Sequence, residues 1–203
     1  MSNQASAAST QEQLESHMKK SPIRTLAPLA LGLCLGAASL PAAALDAIAV
    51  EGGKNDQEGS VDRFGVALKW DWGVKGWQIG DWAFGGYWEV GANYWNGDKG
   101  KYGNDSLGDF YVMPVFRYSY TGKSFVAPFV EAGVGANFYT DHTIGNRQLD
   151  LEFAFGSHVG TGIRFGEKQE YELLYRYQHQ SNAGLGKDNP GINFHLVQLG
   201  YHF

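Results

Sequence analysis

The chain has 203 residues, with 16 basic and 21 acidic side chains and a formal net charge of −5. That acidic balance argues against non-specific binding to nucleic acid. A single cysteine, Cys34, excludes an internal disulfide, and its place in the expected leader leaves no cysteine for a metal site in the domain that follows.

The N-terminal segment reads as a secretory leader. Lys19, Lys20 and Arg24 form a basic region, and Leu26 to Leu40 is an apolar run too short to span a bilayer. Ala42 and Ala44 then stand as an A-x-A site, which predicts cleavage after Ala44. The polar stretch before Met18 is unusual for a leader: either Met18 is the true start or the preceding residues are vector-derived. "LGLC" around Cys34 fits a lipoprotein box poorly, so no lipid anchor is expected. The predicted organisation is a leader over 1–44 and one domain over 45–203. Lys19, Lys20 and Arg24 outnumber Glu12 and Glu15, so the remainder is one unit more negative than the whole and has no cysteine. No later stretch approaches 18 consecutive apolar residues, so no transmembrane helix is expected.

From there the chain alternates with period two, the signature of half-buried strands. A weak first strand sets Ile48 and Val50 against Glu51. The second sets Phe64, Val66, Leu68, Trp70 and Trp72 against Arg63, Lys69 and Asp71. The third sets Trp82, Phe84, Trp88, Val90 and Tyr94 against Glu89 and Asn93. Phe110, Val112, Pro114, Phe116 and Tyr118 oppose Arg117. Val126, Val130, Val134 and Phe138 oppose Glu131 and Asn137. Leu151, Phe153, Phe155, Val159, Ile163 and Phe165 oppose Glu152 and Arg164. Tyr171, Leu173, Tyr175 and Tyr177 oppose Glu172, Arg176 and Gln178. Val197, Leu199, Tyr201 and Phe203 oppose Gln198 and His202.

Eight strands with no helical segment between them predict an all-β fold. One face is aromatic and aliphatic, and the other carries charges of both signs. An eight-stranded barrel has an interior just wide enough for side chains. A charged interior under an apolar exterior therefore predicts an eight-stranded antiparallel transmembrane β-barrel of the bacterial outer membrane. A soluble barrel would have to turn its aromatic face inward. The terminal Phe203 resembles the C-terminal signature of outer-membrane proteins. The even connections "TGKS" and "GEKQ" are short, as periplasmic turns are, and the one over Gly73–Gly80 is somewhat longer. "NDQEGS", "NGDKGKYGNDSLG", "DHTIGNRQ" and "SNAGLGKDNPG" are longer and predicted to be extracellular.

Within "YELLYRYQHQSNAGLGKDNPGIN", His179 and Ser181 share the face of Tyr175 and Tyr177. They therefore point outward, at the extracellular end of their strand. An imidazole beside a hydroxyl is the contact that activates a serine, and it can take and return the proton. The paired charges of the lumen, Arg164, Arg176, Glu152 and Glu172 among them, read as a structural network. His158 and His195 read as core or interface residues and His142 as a solvated loop residue. The histidines are too scattered to suggest a metal site.

The stretch "H-Q-S-N-A-G-L-G-K-D-N-P-G" resembles the active-site stretch of the outer-membrane lipid A 3-O-deacylases of the PagL type. The resemblance covers the chain after the leader in length and strand count, and it is specific in the last two strands and their loop. It implies an esterase that releases a 3-hydroxy fatty acid from the 3 position of lipid A in lipopolysaccharide. It implies Ser181 as nucleophile and His179 as general base and acid. Asn182 and Asn189 match loop asparagines, and with backbone N–H groups near Ala183 and Gly184 they become the implied oxyanion donors. The family's orienting Glu stands fourteen residues after the His, where this chain has Asn193. An amide oxygen can hold the imidazole's tautomer but adds no charge to stabilise the imidazolium. Asp188 and Pro190 also depart from the family's loop.

The expected partner is lipid A in the outer leaflet, with no cofactor, no metal and no nucleic acid, and a homodimer is compatible. Lys99, Lys101, Arg147 and Lys187 in the loops are candidates for lipid A phosphates. Two other readings compete. One is a non-enzymatic structural or adhesive barrel. The other is an acyltransferase, which needs an apolar lumen in its outer half, and the charged inner face argues against it.

Overall fold

The computed structural model describes residues 44–57, 59–74, 76–187 and 191–203. The expected leader up to residue 43, together with Asp188, Asn189 and Pro190, lies outside the described residues. The strands are β1 (Ala47–Asn55), β2 (Val61–Asp71), β3 (Gly76–Ile79), β4 (Trp82–Gly97), β5 (Ser106–Tyr120), β6 (Val126–Tyr139), β7 (Thr143–Ile144), β8 (Arg147–Gln148), β9 (Phe153–Phe165), β10 (Tyr171–Ser181) and β11 (Ile192–His202). Eight of them, β1, β2, β4, β5, β6, β9, β10 and β11, pair antiparallel in chain order. Strand β11 then returns to β1, from Ala47 opposite His202 to Asn55 opposite Phe194, and the barrel closes. Closure leaves no unpaired edge, which a lipid-facing sheet requires.

Short segments depart from the expectation. The Gly73–Gly80 connection is not one long turn: after a break, β3 continues the line of β2 and pairs with the start of β4, leaving a tight turn at Gly80–Asp81. The shift of register between Gly76 and Gln78 is what hid it, because a bulge interrupts alternation. Strands β7 and β8 form a small hairpin inside the loop between β6 and β9.

The faces follow the alternation. Val50, Phe64, Val130, Leu173, Val197 and Leu199 point out, whereas Arg63, Lys69, Glu89, Glu131, Glu172 and Arg176 are buried in the lumen. At the turn end the outer wall carries stacked aromatics, Trp82 on Tyr118 and Phe165 on Tyr171, with Tyr201 and Phe203 beside them. Such a girdle fits a membrane interface.

The lumen is packed. Arg176 reaches Glu89 at 2.6 and 2.8 Å and Glu131 at 2.9 Å. Arg117 bridges Glu131 and Glu172, each at 2.6 Å, and Lys69 also reaches Glu172 at 2.6 Å. Arg63 binds Glu51 at 2.7 Å. His158 contacts Glu131 at 3.2 Å, and Gly133 leaves it room, since a Cβ there would meet its Cε1 at 2.5 Å. Charges so far from water persist only when each is matched. Two residues expected in this network lie elsewhere: Glu152 is exposed in the bend before β9, and Asp71 is exposed at the end of β2. Glu152 precedes β9, and Asp71 is the last residue of β2, beyond the buried stretch that ends at Lys69. Arg164 is half-buried, and its Nε donates to the Gln169 carbonyl.

Toward the loop end the lumen changes character. Val61, Trp95, Leu107, Tyr139, Ile144, Leu149, Ile192, Phe194 and Leu196 form a buried apolar cluster. This apolar cluster caps the lumen above the buried pair of Arg63 and Asp109, 3.8 Å apart, with Arg63 lying over the Phe194 ring. Side chains fill the lumen there: Trp95 packs on Phe194 at 4.7 Å and on Tyr139 at 5.4 Å. At the turn end a cavity of about 310 Å³ is lined by Tyr87, Arg117, Phe129, Arg164 and His202 among others.

Candidate active site

Strand β10 sends Glu172, Leu174, Arg176, Gln178 and Gln180 into the lumen, and Tyr171, Leu173, Tyr175 and His179 outward. The inner set is anchored by ion pairs and by Tyr139 donating to Gln180 at 2.6 Å. A slip of one residue would expose all of it to lipid, so the lumen fixes which side chains face out. His179 is exposed, and Ser181, on the same face, is half-buried.

Register brings the remaining parts together. His179 lies opposite Asn193 on β11 and opposite Ser157 on β9. Its Nδ1 meets Asn193 Oδ1 at 2.6 Å. An amide oxygen only accepts, so Nδ1 carries the proton and Nε2 is left with a lone pair. Asn193 is held in turn: its N–H donates to Gln57 Oε1 at 3.3 Å, and its carbonyl accepts from the N–H of Asp56 at 3.3 Å. Gly191 packs against the other edge of the ring. A Cβ there would stand 2.9 Å from His179 Cε1, and its φ of 57° lies in the left-handed region. Arg147, from β8, donates to the Gly191 carbonyl at 3.2 Å, tying the loop hairpin to the site.

Ser181 and His179 are not hydrogen-bonded to each other. They stand on neighbouring outward positions, about 7 Å apart along the strand. Ser157, directly opposite His179, is a second outward hydroxyl that single-strand reading missed, since only the β9–β10 register reveals it.

The loop after Ser181 turns sharply. Ala183 (φ 53°) and Gly184 (φ 77°) are left-handed, and the Gly184 N–H donates to Asn182 Oδ1 at 3.0 Å. Asn182 is buried. The Lys187 N–H donates to Asp150 Oδ2 at 2.5 Å. Of the four candidate phosphate ligands, Lys99 faces Asp105 at 3.8 Å and Lys101 lies over the Tyr102 ring at 4.9 Å. Arg147 is the one that reaches the site directly.

A second polar group, also unread in the sequence, lies on the membrane side of His179. The Tyr175 hydroxyl meets His195 Nδ1 at 2.6 Å, and the Tyr177 hydroxyl donates to Asp56 Oδ2 at 2.9 Å. His195, expected to be a core or interface residue, faces outward with half of its side chain exposed.

Residues 62–202 match the family model described as lipid A 3-O-deacylase (PagL). The lipid A deacylase PagL of Pseudomonas aeruginosa is 33% identical over 170 residues, 84% of this chain and 94% of the relative. That of Bordetella bronchiseptica is 35% identical over 130 residues, 59% of this chain and 66% of the relative. A crystal structure of the outer membrane enzyme PagL superposes with a TM-score of 0.65 at 29% identity, covering 76% of this chain and 98% of that one. A closed outer-membrane barrel with an outward His–Asn pair beside a serine, matched in sequence and fold along most of its length, belongs to the lipid A 3-O-deacylase (PagL) family.

Proposed function

We propose that this chain is a serine esterase of the outer leaflet that hydrolyses the 3-position ester of lipid A, with Ser181 as nucleophile and His179 as general base and acid. The observation that carries the reading is the 2.6 Å contact of His179 with Asn193 on the lipid-facing wall. It fixes the tautomer in which Nε2 can take a proton. As Ser181 Oγ attacks the ester carbonyl, Nε2 accepts its proton. The resulting oxyanion takes hydrogen bonds from loop donors, the N–H of Ala183 and the amides of Asn182 and Asn189, joined by the Gly184 N–H once it is released from Asn182 Oδ1. Such donors are each worth roughly 10²–10³ in rate. Collapse expels the sugar 3-oxygen, which receives the proton from His179. Water, deprotonated by His179, then cleaves the acyl-serine and releases a 3-hydroxy fatty acid. The separation of Ser181 from His179 fits an unliganded site, where such contacts are long and tighten around substrate.

Each part of this machinery comes from one chain, so a homodimer is not required for the chemistry. The acyl chains would lie along the wall below Tyr175 and Tyr177, while Arg147 and neighbouring cations meet the phosphates.

The test is lipopolysaccharide incubated with the purified barrel, followed by lipid A mass. We expect loss of one 3-hydroxyacyl mass, reduced at least about 10³-fold in both Ser181→Ala and His179→Ala. Ser157→Ala should stay within a few-fold of wild type. Silence in Ser157→Ala with activity in Ser181→Ala would move the nucleophile to β9. An added acyl mass would support an acyltransferase, and no mass change would support a structural barrel.

A further inference from the structure

Asp56, Tyr175, Tyr177 and His195 form a polar island on the outer wall, where the neighbouring outward positions Val159, Leu173, Val197 and Leu199 are apolar. Polar groups on a lipid-facing surface are costly, and where they occur they point to function. The island is also rigid. His195 stacks on Tyr175 at 27° and packs on Tyr177 with ring centroids 5.1 Å apart. Opposite His195 on β1, Lys54 is already paired with Asp62 at 3.3 Å.

The island divides into two bonded halves with a gap between them. When the Tyr175 hydroxyl donates to His195 Nδ1 at 2.6 Å, the ring's own proton sits on Nε2, the tautomer this subsite uses. Asp56 Oδ2 accepts from Tyr177 and keeps free lone pairs. His195 Nε2 and Asp56 Oδ2 stand 3.9 Å apart, too far to bond directly. An oxygen about 2.8 Å from each would close the triangle, accepting from Nε2–H and donating to the carboxylate. A hydroxyl is the group that both accepts and donates there.

The position says which hydroxyl. His195 lies opposite Tyr177, two residues along β10 from His179 toward the bilayer. An ester carbonyl held at Ser181 and His179 sends its acyl chain in that direction. In a 3-hydroxyacyl ester the hydroxyl is three bonds from the carbonyl carbon, on that membrane side. We infer that Asp56 and His195 form a subsite for the 3-hydroxyl of the departing acyl chain, held in place by Tyr175 and Tyr177. Resting on the deacylase reading, this makes the hydroxyl, and not chain length alone, a determinant of which ester is cut.

The experiment uses the whole purified barrel in mixed micelles and three glucosamine lipids acylated at the sugar 3 position. One carries a 3-hydroxyacyl chain, one the same chain without its hydroxyl, and one the hydroxyacyl chain on a sugar lacking the 4-hydroxyl. Wild type should favour the first over the second in kcat/KM by about ten- to a hundred-fold, the worth of a hydrogen bond to a charged pair. The first and third should be cut alike. His195→Phe keeps a ring between the two tyrosines but has no Nε2–H, and should erase most of the preference, chiefly by slowing the hydroxyacyl substrate. His195→Gln, which retains a donor, should restore part of it. The inference is overturned if wild type shows no preference, if His195→Phe slows the first two substrates by the same factor, or if the preference follows the sugar hydroxyl. Hydrolysis of no substrate by a folded barrel would overturn the deacylase reading itself, and the subsite with it.

Discussion

The lumen and the outer wall of β10 carry the same residue types under opposite conditions. In the lumen, His158 is bonded at both nitrogens, to Met113 Sδ and to Glu131, each at 3.2 Å. On the wall, His179 and His195 are each bonded at Nδ1, and among the described residues no hydrogen bond is made at either Nε2. The buried set has the greater charge, and its ion pairs spend that charge on one another. The wall has few polar groups, yet their bonding capacity is unspent and faces lipid. In this barrel the dense ionisable residues serve as scaffold, and the open valence on the apolar face is what the proposed site uses.

The sharpest way to break that contrast is to disturb the wall without touching its chemistry. Gly191→Ala adds one methyl group at a left-handed position, 2.9 Å from His179 Cε1. We expect kcat to fall about 10²-fold, since a displacement of about 1 Å in a catalytic group has that effect. The barrel's unfolding midpoint should move little. Wild-type kcat in this variant would show that the ring is not confined by Gly191.

Asn193→Asp keeps the shape and adds the charge that the family's Glu position supplies. A carboxylate stabilises the imidazolium that forms during attack, so kcat should rise about tenfold, a fraction of the roughly 10⁴ separating Asp from Asn in another triad. An unchanged or lower kcat would mean that orientation by the amide is all this site uses.

The smallest effect on catalysis should come from the largest change in the lumen. Arg176→Leu strands Glu89 and Glu131 and should lower unfolding stability by about 3–5 kcal/mol. Deacylation per folded molecule should stay within about twofold. A specific loss of kcat would show that the lumen communicates with the wall.

How much of this could be read in advance follows from which interactions are local. Alternation alone assigned both faces of β10 and set His179 with Ser181, because period two is a property of one strand. It misplaced Glu152 and Asp71, since nothing in alternation says where a strand begins or where the buried stretch of the lumen ends. It missed β3, whose register shifts between Gly76 and Gln78, and β7 and β8, at two residues each too short to show a period. Ser157, Asp56 and the outward bonding of His195 depend on cross-strand register, which appears only when separate segments are laid side by side. The apolar cluster under the loops was hidden for a related reason: Trp95, Ile144, Leu149 and Ile192 come from strand ends and loops, and each looks ordinary alone.

The apolar plug at the loop end has a further consequence. Trp95, Phe194 and Ile192 fill the lumen there, and the proposed site lies on the outer surface of the wall, where substrate would come from the membrane. On the proposed function, encounter is a two-dimensional search within one leaflet. The relevant substrate concentration is molecules per area of membrane, not per volume of medium. Diluting lipid A with inert lipid should slow turnover at constant bulk concentration, whereas diluting the vesicles in buffer should leave it unchanged.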